Sequence, residues 1–225
     1  MKSILRTFAL LVISLPAWAL GLADITDSDA SGGLKEALTQ GATQAVALLG
    51  KEDGFLKNKK VRIPLPDGLA QAEPILRGMG KGKDLDELVT AMNRAAEQAV
   101  PKAQELLVKA VREMSVKDAK DILTGGDDSV TRYFKGKTKD ELTTLFLPTV
   151  KQTTDKLSLA KKYDKLASKA AGLGLVKAED SKIEGYVTRK TLDGLYTLIS
   201  EEEKAIRKNP LGAAGGLAKK VFGAL

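Results

Sequence analysis

The 225-residue sequence contains neither cysteine nor histidine. Without them the chain cannot build a Ser-His-Asp triad, use a thiol nucleophile, or bind a metal through imidazole or thiolate ligands. Any catalysis would have to depend on carboxylates, lysine, tyrosine, or a hard cation held by carboxylates. The absence of cysteine also excludes disulfides, so packing alone must stabilise an exported form of the chain.

Aromatic residues are scarce, at 4% of the chain, and the basic residues are not gathered into a stripe. Proteins that bind nucleic acid usually concentrate positive charge and offer aromatic rings for base stacking. We therefore expect no nucleic acid partner. The net charge is +7, and without Lys2 and Arg6 it is +5, from 34 basic and 29 acidic residues. This excess is compatible with peripheral contact with an anionic membrane surface.

The first 19 residues have the three parts of a secretory signal peptide. Lys2 and Arg6 supply positive charge, and residues 8–15 form an apolar core too short to span a bilayer. Residues 17–19 (AWA) form a small-x-small cleavage motif. We therefore expect a periplasmic or secreted protein whose mature chain begins near Leu20. No cysteine follows the apolar core, so no lipid anchor is expected there.

Hydrophobic periodicity predicts helices along almost the whole mature chain. The longer ones are expected over residues 34–49, 85–114, 116–123, 139–170 and 181–208, with a turn or two of helix in 127–136. Three of the starts are marked by capping boxes, DLDE at 84–87, SVKD at 115–118 and TKDE at 138–141. A short helix from Asp67 to Arg77 should be bent or divided at Pro74, and the glycine-rich GMGKGK after it is expected to be a flexible joint rather than a phosphate-binding loop.

One stretch, between residues 50 and 68, lacks helical periodicity. Pro64 and Pro66 forbid helix there, and Val61, Ile63 and Leu65 alternate with other residues. We predict an extended arm or a short edge strand near residues 59–65. Since no second clear strand exists, the predicted fold class is all-α, an irregular multi-helix bundle.

The chain is accordingly divided into four segments. These are a signal peptide (1–19), a flexible linker (20–32), a helical domain (33–209) and a C-terminal amphipathic tail (210–225). The linker contains DSDASG at 27–32, which resembles part of a calcium loop, but Leu38 occupies the position that requires a bidentate glutamate. No metal site is therefore predicted. The tail is expected to dock its last helical turn onto the domain, or alternatively to lie on a membrane surface.

Three polar residues stand close to Pro101 in the predicted 85–114 helix. Asn93 lies at the edge of its apolar band, Glu97 slightly beyond the edge, and Arg94 almost opposite. We expect Asn93 to hydrogen-bond a neighbouring loop, with Glu97 one turn along on the same side. Ligand binding is the alternative role. Pro101 should lie on the outer face, where it would bend the helix gently.

A buried carboxylate is predicted in the last helix. Glu202 falls within its apolar stripe, whereas Glu201 and Glu203 point elsewhere. Because a buried carboxylate needs a partner, we expect an arginine beside it. The candidates are Arg77, Arg94 and Arg132 from other helices and Arg207 from the same one. The alternatives are a carboxylate of raised pKa at a cavity, and a rotated helix that leaves Glu202 exposed.

Several stretches together resemble one bacterial family. They are DGFLKNKKVRIPLP, MNRAAEQAVPKA, KDAKDILTGG followed by TRYF, LFLPTVKQ, and YVTRKTLDGLYTLISEEEKAIRKNP. On these stretches the chain resembles the exported family catalogued as domain of unknown function 4197, from about residue 33 to 222. The resemblance implies an all-helical envelope protein of Gram-negative bacteria with no assigned activity. Members often carry a lipoprotein cysteine, which this chain lacks.

The sequence therefore predicts an exported helical binding or interaction protein of the bacterial envelope, without catalytic chemistry and without a cofactor. Its partner would be an envelope protein or an amphiphilic molecule held between the helices. The basic run KNKKVR with Phe55 is expected to be solvated loop charge, or alternatively a contact with an anionic surface. The functional alternative is a carboxylate-based hydrolase of an envelope glycan or ester, for which two carboxyl groups should converge on a cleft about 5–10 Å apart.

Overall fold

The computed structural model describes residues 27–156, 160–164 and 181–208. The predicted signal peptide and the predicted tail lie outside the described residues. Besides the helical residues 160–164, the described part contains seven α-helices and no β-strand, which confirms the predicted all-α class. The helices are α1 (Asp27–Gly50), α2 (Asp67–Gly78), α3 (Gly82–Ala99), α4 (Ala103–Arg112), α5 (Val116–Leu123), α6 (Ser129–Thr154) and α7 (Ile183–Lys208). None of these helices combines the length and the apolar character needed to cross a membrane.

A single hydrophobic core holds the described helices together. The long helices α6 and α7 form its most extensive pair, α3 packs against α6, and α1 packs against α4 and α7. Phe55, Phe134 and Phe146 are the largest side chains that are completely buried. Each fully buried side chain of this size contributes roughly 1.5–3 kcal/mol by leaving water, which is how a chain without disulfides is stabilised.

Helix α1 begins earlier than the sequence indicated. The apolar positions from Leu34 to Leu49 face the core as the periodicity predicted. The helix starts at Asp27, however, so residues 27–32 of the predicted linker are helical. A helical backbone over this stretch differs from the loop that a calcium site of the EF-hand type requires.

The predicted 85–114 helix is divided at Pro101. Helix α3 ends at Ala99, a 3-10 turn spans Val100–Lys102, and α4 follows directly from Ala103. Proline lacks the amide that would continue the α-helical hydrogen bonds, so the chain tightens into a 3-10 turn. The prediction of one continuous helix was wrong, although Pro101 is exposed as expected.

One of the three predicted capping boxes is present. Ser115 and Asp118 cap α5 reciprocally, side chain to backbone in both directions. The box at residues 84–87 is absent because α3 already begins at Gly82. The box at 138–141 is absent because α6 runs unbroken from Ser129, and Thr138 inside it donates to the carbonyl of Phe134.

The arm between α1 and α2 is extended and does not pair with a strand. Residues 62–66 have no regular secondary structure, and burial alternates from Val61 to Leu65, with Arg62 and Pro64 exposed. The extended-arm form of the prediction is therefore confirmed, and no strand forms. Before the arm, residues 52–57 form tight turns in which Asp53 adopts a left-handed backbone with φ of 65°. This backbone is costly for any residue other than glycine, so other contacts must hold it.

Candidate functional site

An open cleft lies where the end of α1, the turn after it and α3 meet. Its volume is about 360 Å³, and it is lined by Gly50, Glu52, Arg94, Glu97, Gln98 and Pro101. Gly50 is required there, because a Cβ on it would lie only 2.8 Å from the ring of Pro101. The absence of a side chain at this position thus lets α1 approach the 3-10 turn closely.

Glu97 forms one wall of the cleft and is only 4% exposed. Its Oε1 accepts hydrogen bonds from the backbone amides of Phe55 and Leu56, both at 3.0 Å. Its Oε2 accepts from Nη1 of Arg94 at 2.6 Å. Charge-assisted bonds of this kind are roughly twice as strong as neutral ones. Glu97 therefore fixes the turn after α1 onto α3.

Arg94 connects Glu97 to the acidic residues of that turn. Its Nη2 donates to Oδ1 of Asp53 at 2.8 Å and, more weakly, to Oε1 of Glu52 at 3.3 Å. The hydrogen bond from Lys57, and to a lesser extent the one from Arg94, holds the pKa of Asp53 below its ordinary value. Asp53 is thereby held from both sides, which stabilises its left-handed backbone.

Asn93 is completely buried and binds the arm through its side-chain amide. Its Oδ1 accepts from the amide of Ile63 at 2.8 Å, and its Nδ2 donates to the carbonyl of Ile63 at 2.9 Å. The second Nδ2 hydrogen is donated to the carbonyl of Val89 at 2.8 Å. Asn93 thus gives Ile63 both of the bonds that a neighbouring strand would supply, which explains how the arm lies buried without a sheet.

The buried carboxylate near the end of α7 belongs to Glu203, so the prediction of Glu202 was wrong by one position. Glu203 is 4% exposed, whereas Glu202 is half-buried and lies against Gly41 of α1. The oxygens of Glu203 accept from the amides of Val130 at 3.0 Å and Thr131 at 3.2 Å. The side chain of the residue immediately before α6 does not hydrogen-bond the free amides of that helix. Glu203 therefore caps the start of α6 from a different helix. The position of those free amides, rather than the centre of the apolar stripe, decides which glutamate is buried.

The four arginines named from the sequence do not meet in one place. Arg207 pairs with Glu203, with 3.2 Å between its Nη2 and Oε1, and Arg94 pairs with Glu97. Arg77 binds Glu73 and Asp86 and so ties α2 to α3. Arg132 pairs with Asp128 on the surface. Of the predicted polar cluster, only Asn93, Arg94 and Glu97 therefore lie together.

A family model described as "Protein of unknown function (DUF4197)" matches residues 24–223. The chain belongs to this family. The match confirms the resemblance drawn from the sequence motifs and spans nearly all of the chain. Neither the comparison with curated proteins nor the comparison with solved structures found a match. The family description names no activity.

In the basic run of this family member, the aromatic ring and two of the lysines make contacts within the molecule. Phe55, which would have supplied the apolar anchor, is completely buried. Lys57 is paired with Asp53 and Lys60 with Glu201, at 2.7 Å in each case. Two of its charges are thus balanced by acids of the same molecule, and the aromatic ring belongs to the core.

A further buried carboxylate, Glu184 in the first turn of α7, was not singled out from the sequence. It is 6% exposed, and one of its oxygens has no hydrogen-bond partner. A helical wheel drawn for residues 181–208 would have found it, because Ile183, Val187 and Thr191 surround it on the buried side. Within the described ranges, no group of three or more acidic residues is placed to hold a metal ion.

Proposed function

We propose that this protein is an exported, non-catalytic binding protein of the bacterial envelope, and that its partner occupies the cleft between the end of α1 and α3. Export is proposed from the charge, apolar core and AWA motif of the first 19 residues. The cleft is proposed as the binding surface because its volume, about 360 Å³, falls within the range of about 300–1,000 Å³ typical of ligand sites.

The observation that carries this proposal is the bonding of Glu97. A carboxyl group that acts as a general acid or a nucleophile needs an oxygen free to meet the substrate. Both oxygens of Glu97 are engaged, one by two backbone amides and the other by Arg94. Glu52, whose side chain is 83% exposed, is the other carboxylate of the cleft. The carboxylates of Glu52 and Glu97 therefore suit the lining of a binding cleft better than they suit the role of the catalytic carboxylate pair of a hydrolase.

The lining of the cleft indicates the kind of partner. Glu52 and Gln98 offer polar groups, Pro101 offers an apolar ring, and Arg94 is already neutralised by Glu97 and Asp53. Such a surface suits a peptide segment or an amphiphilic molecule, which combine polar and apolar parts. A small anion is less well suited because both terminal nitrogens of Arg94 already donate to carboxylates.

Photo-crosslinking in cells tests whether the cleft binds a partner. A photoreactive residue at Gln98 should give a defined adduct, because this exposed side chain lines the cleft. The matched control is the same residue at Thr90, which is exposed on the same helix away from the cleft. The cleft assignment requires an adduct from position 98 that is lost in Glu52→Lys. Equal labelling from positions 98 and 90, or none from either, would contradict it.

The hydrolase alternative has its own test. The purified protein is assayed on ester and envelope-glycan substrates together with Glu52→Gln and Glu97→Gln. We expect no turnover that depends on these residues. Hydrolysis that both substitutions abolish, in variants that still fold by circular dichroism, would establish the catalytic alternative. Native mass spectrometry of the same preparation would reveal a ligand that co-purifies with the binding form.

The proposed export is tested separately. N-terminal sequencing of protein recovered from the periplasm should give a chain that begins near Leu20, because cleavage is expected after the AWA motif. Replacing Leu10 and Leu11 with lysine should interrupt the apolar core and retain the protein in the cytoplasm. An uncleaved protein that remains in the cytoplasm without this change would overturn the envelope assignment.

A further inference from the structure

Two oxygen atoms stand out at the start of α7. In the described part of the chain, Oε2 of Glu184 and Oγ1 of Thr188 are the buried side-chain atoms that have no hydrogen-bond partner. Glu184 is 6% exposed and Thr188 only 2%. They are four residues apart on one helix and therefore lie on the same side of it. Buried polar groups are nearly always bonded, so two adjacent exceptions call for one explanation.

Comparison with similar residues shows that this arrangement is local. The hydroxyls of the buried residues Thr138, Thr154 and Thr191 each donate to the carbonyl four residues earlier. Thr188 makes no such bond although it has the same helical environment. Its hydroxyl is therefore directed away from its own helix backbone. A hydroxyl oxygen and a carboxylate oxygen, both buried and both without a hydrogen-bond partner, thus lie one turn apart on the same side of α7.

The surroundings of Glu184 carry excess negative charge. Asp164 accepts a hydrogen bond from the amide of Ile183 at 2.7 Å, so its carboxylate lies at the start of α7, where its charge interacts with that of Glu184. Burial raises the pKa of Asp164, and the charge of Glu184 raises it further. Lys151 lies 3.9 Å from Oε1 of Glu184, but its ammonium group binds Asp155 at 2.8 Å. Lys182 also lies near Asp164, so among the described residues the three carboxylates of Asp155, Asp164 and Glu184 accompany two ammonium groups.

We propose that Glu184, Thr188 and Asp164 form a binding site for a hard, oxygen-preferring cation such as Ca²⁺, Mg²⁺ or Na⁺. The three side chains offer only oxygen ligands, which these cations prefer. The near-complete burial of Glu184 and Thr188 restricts the ligand to the size of an ion. A cation there would bond both free oxygens and neutralise the excess charge. Two carboxylates are few for such a site, so the expected Kd is on the order of 10⁻⁴–10⁻³ M.

Thermal unfolding of the mature full-length chain tests this site. The midpoint is measured in EDTA and then in CaCl₂, MgCl₂ or NaCl, with choline chloride to keep the ionic strength equal. At a free concentration ten times the Kd, we expect at least one of these ions to raise the midpoint by about 3–6 °C. Isothermal titration calorimetry should show one ion bound per chain. A rise in the midpoint with any of the three ions supports the site, provided that substitution of the proposed ligand residues removes this rise.

Two substitutions and two matched controls establish that dependence. Glu184→Gln and Thr188→Val should each remove most of the shift and weaken the calorimetric Kd at least tenfold. Thr191→Val makes the same change at a hydroxyl that already has a partner, and Glu202→Gln changes a half-buried glutamate of the same helix. Both controls should keep the full response. The proposal is overturned if none of the three ions raises the midpoint, or if the response persists in Glu184→Gln.

Discussion

Glu97 and Glu184 are buried to almost the same extent, with exposed fractions of 4% and 6%. Around Glu97, two backbone amides and an arginine saturate both carboxylate oxygens. Around Glu184, one oxygen has no partner and the nearest ion-pair nitrogen is 3.9 Å from the other. The degree of burial thus reveals little about what a carboxylate does. The donors around it decide whether it fixes the fold or is available to a ligand.

The region around α3 shows what buried polar side chains do for the fold when their hydrogen-bonding groups all have partners. Asn93 and Glu97, one helical turn apart, bind the backbone of the preceding segment at Ile63 and at residues 55–56. These bonds replace the ones that a sheet or a helix would give that segment. The start of α7 instead has two acceptors without donors. We therefore expect substitutions in the two regions to differ in size and even in sign.

The largest effect is expected for Asn93→Asp. A carboxylate at this position cannot donate to the carbonyls of Ile63 and Val89, and it places an unpaired charge in the core. The free energy of unfolding should fall by about 3–5 kcal/mol, measured by urea denaturation. The matched control is Asn58→Asp, where the side chain only accepts a bond, from the amide of Lys60. If both variants lose the same stability, Asn93 is not what holds the arm.

Glu203→Gln should come next, with a loss of about 2–4 kcal/mol. The amide would set a donor against the backbone amides of α6 and leave Arg207 without its carboxylate. Glu202→Gln should change stability by less than about 0.5 kcal/mol, because its side chain is half-buried at the surface. The same urea titration measures both. The reverse order would restore Glu202 as the buried member of the pair.

These two glutamates also mark the limit of inference from sequence. Local signals predicted α5 with its Ser115 cap and the position of α7, because caps and apolar spacing act within one or two turns. The start of α6 was missed because Thr138 looks like a cap, whereas it lies inside the helix and its hydroxyl donates to the carbonyl of Phe134. Glu203 was missed because its partners belong to a helix more than seventy residues earlier in the sequence. Contacts over such separations depend on how the helices pack, which periodicity does not encode.

Glu97→Gln and Glu184→Gln compare the two buried carboxylates directly. The first variant should lose about 1–3 kcal/mol, because an amide can keep one acceptor but not the bond from Arg94. The second should change stability by less than about 1 kcal/mol in EDTA, and towards greater stability, since it removes a buried charge with an unpaired oxygen. Chemical denaturation in the same buffer gives both values. A large loss in Glu184→Gln would mean that this carboxylate is already satisfied.

The smallest effects concern pH, and Asp53 and Asp164 should respond with opposite signs. Burial raises the pKa of Asp164 in the folded chain, so the stability linked to its proton is complete below the ordinary value of 3.8 and is lost as the pH rises through the raised pKa. Lys57 and Arg94 lower the pKa of Asp53, so its contribution is present above 3.8 and is lost as the pH falls through the lowered value.

Thermal midpoints measured from pH 3 to 7 should separate these two residues. Asp164→Asn should follow the wild type at the acidic end and become relatively more stable above the ordinary aspartate pKa, because asparagine still accepts the bond from Ile183 without a charge. Asp53→Asn should show its deficit at neutral pH and approach the wild type in acid. Parallel curves for both variants would mean that the two carboxylates have similar surroundings. That result would contradict the difference between the region around α3 and the start of α7.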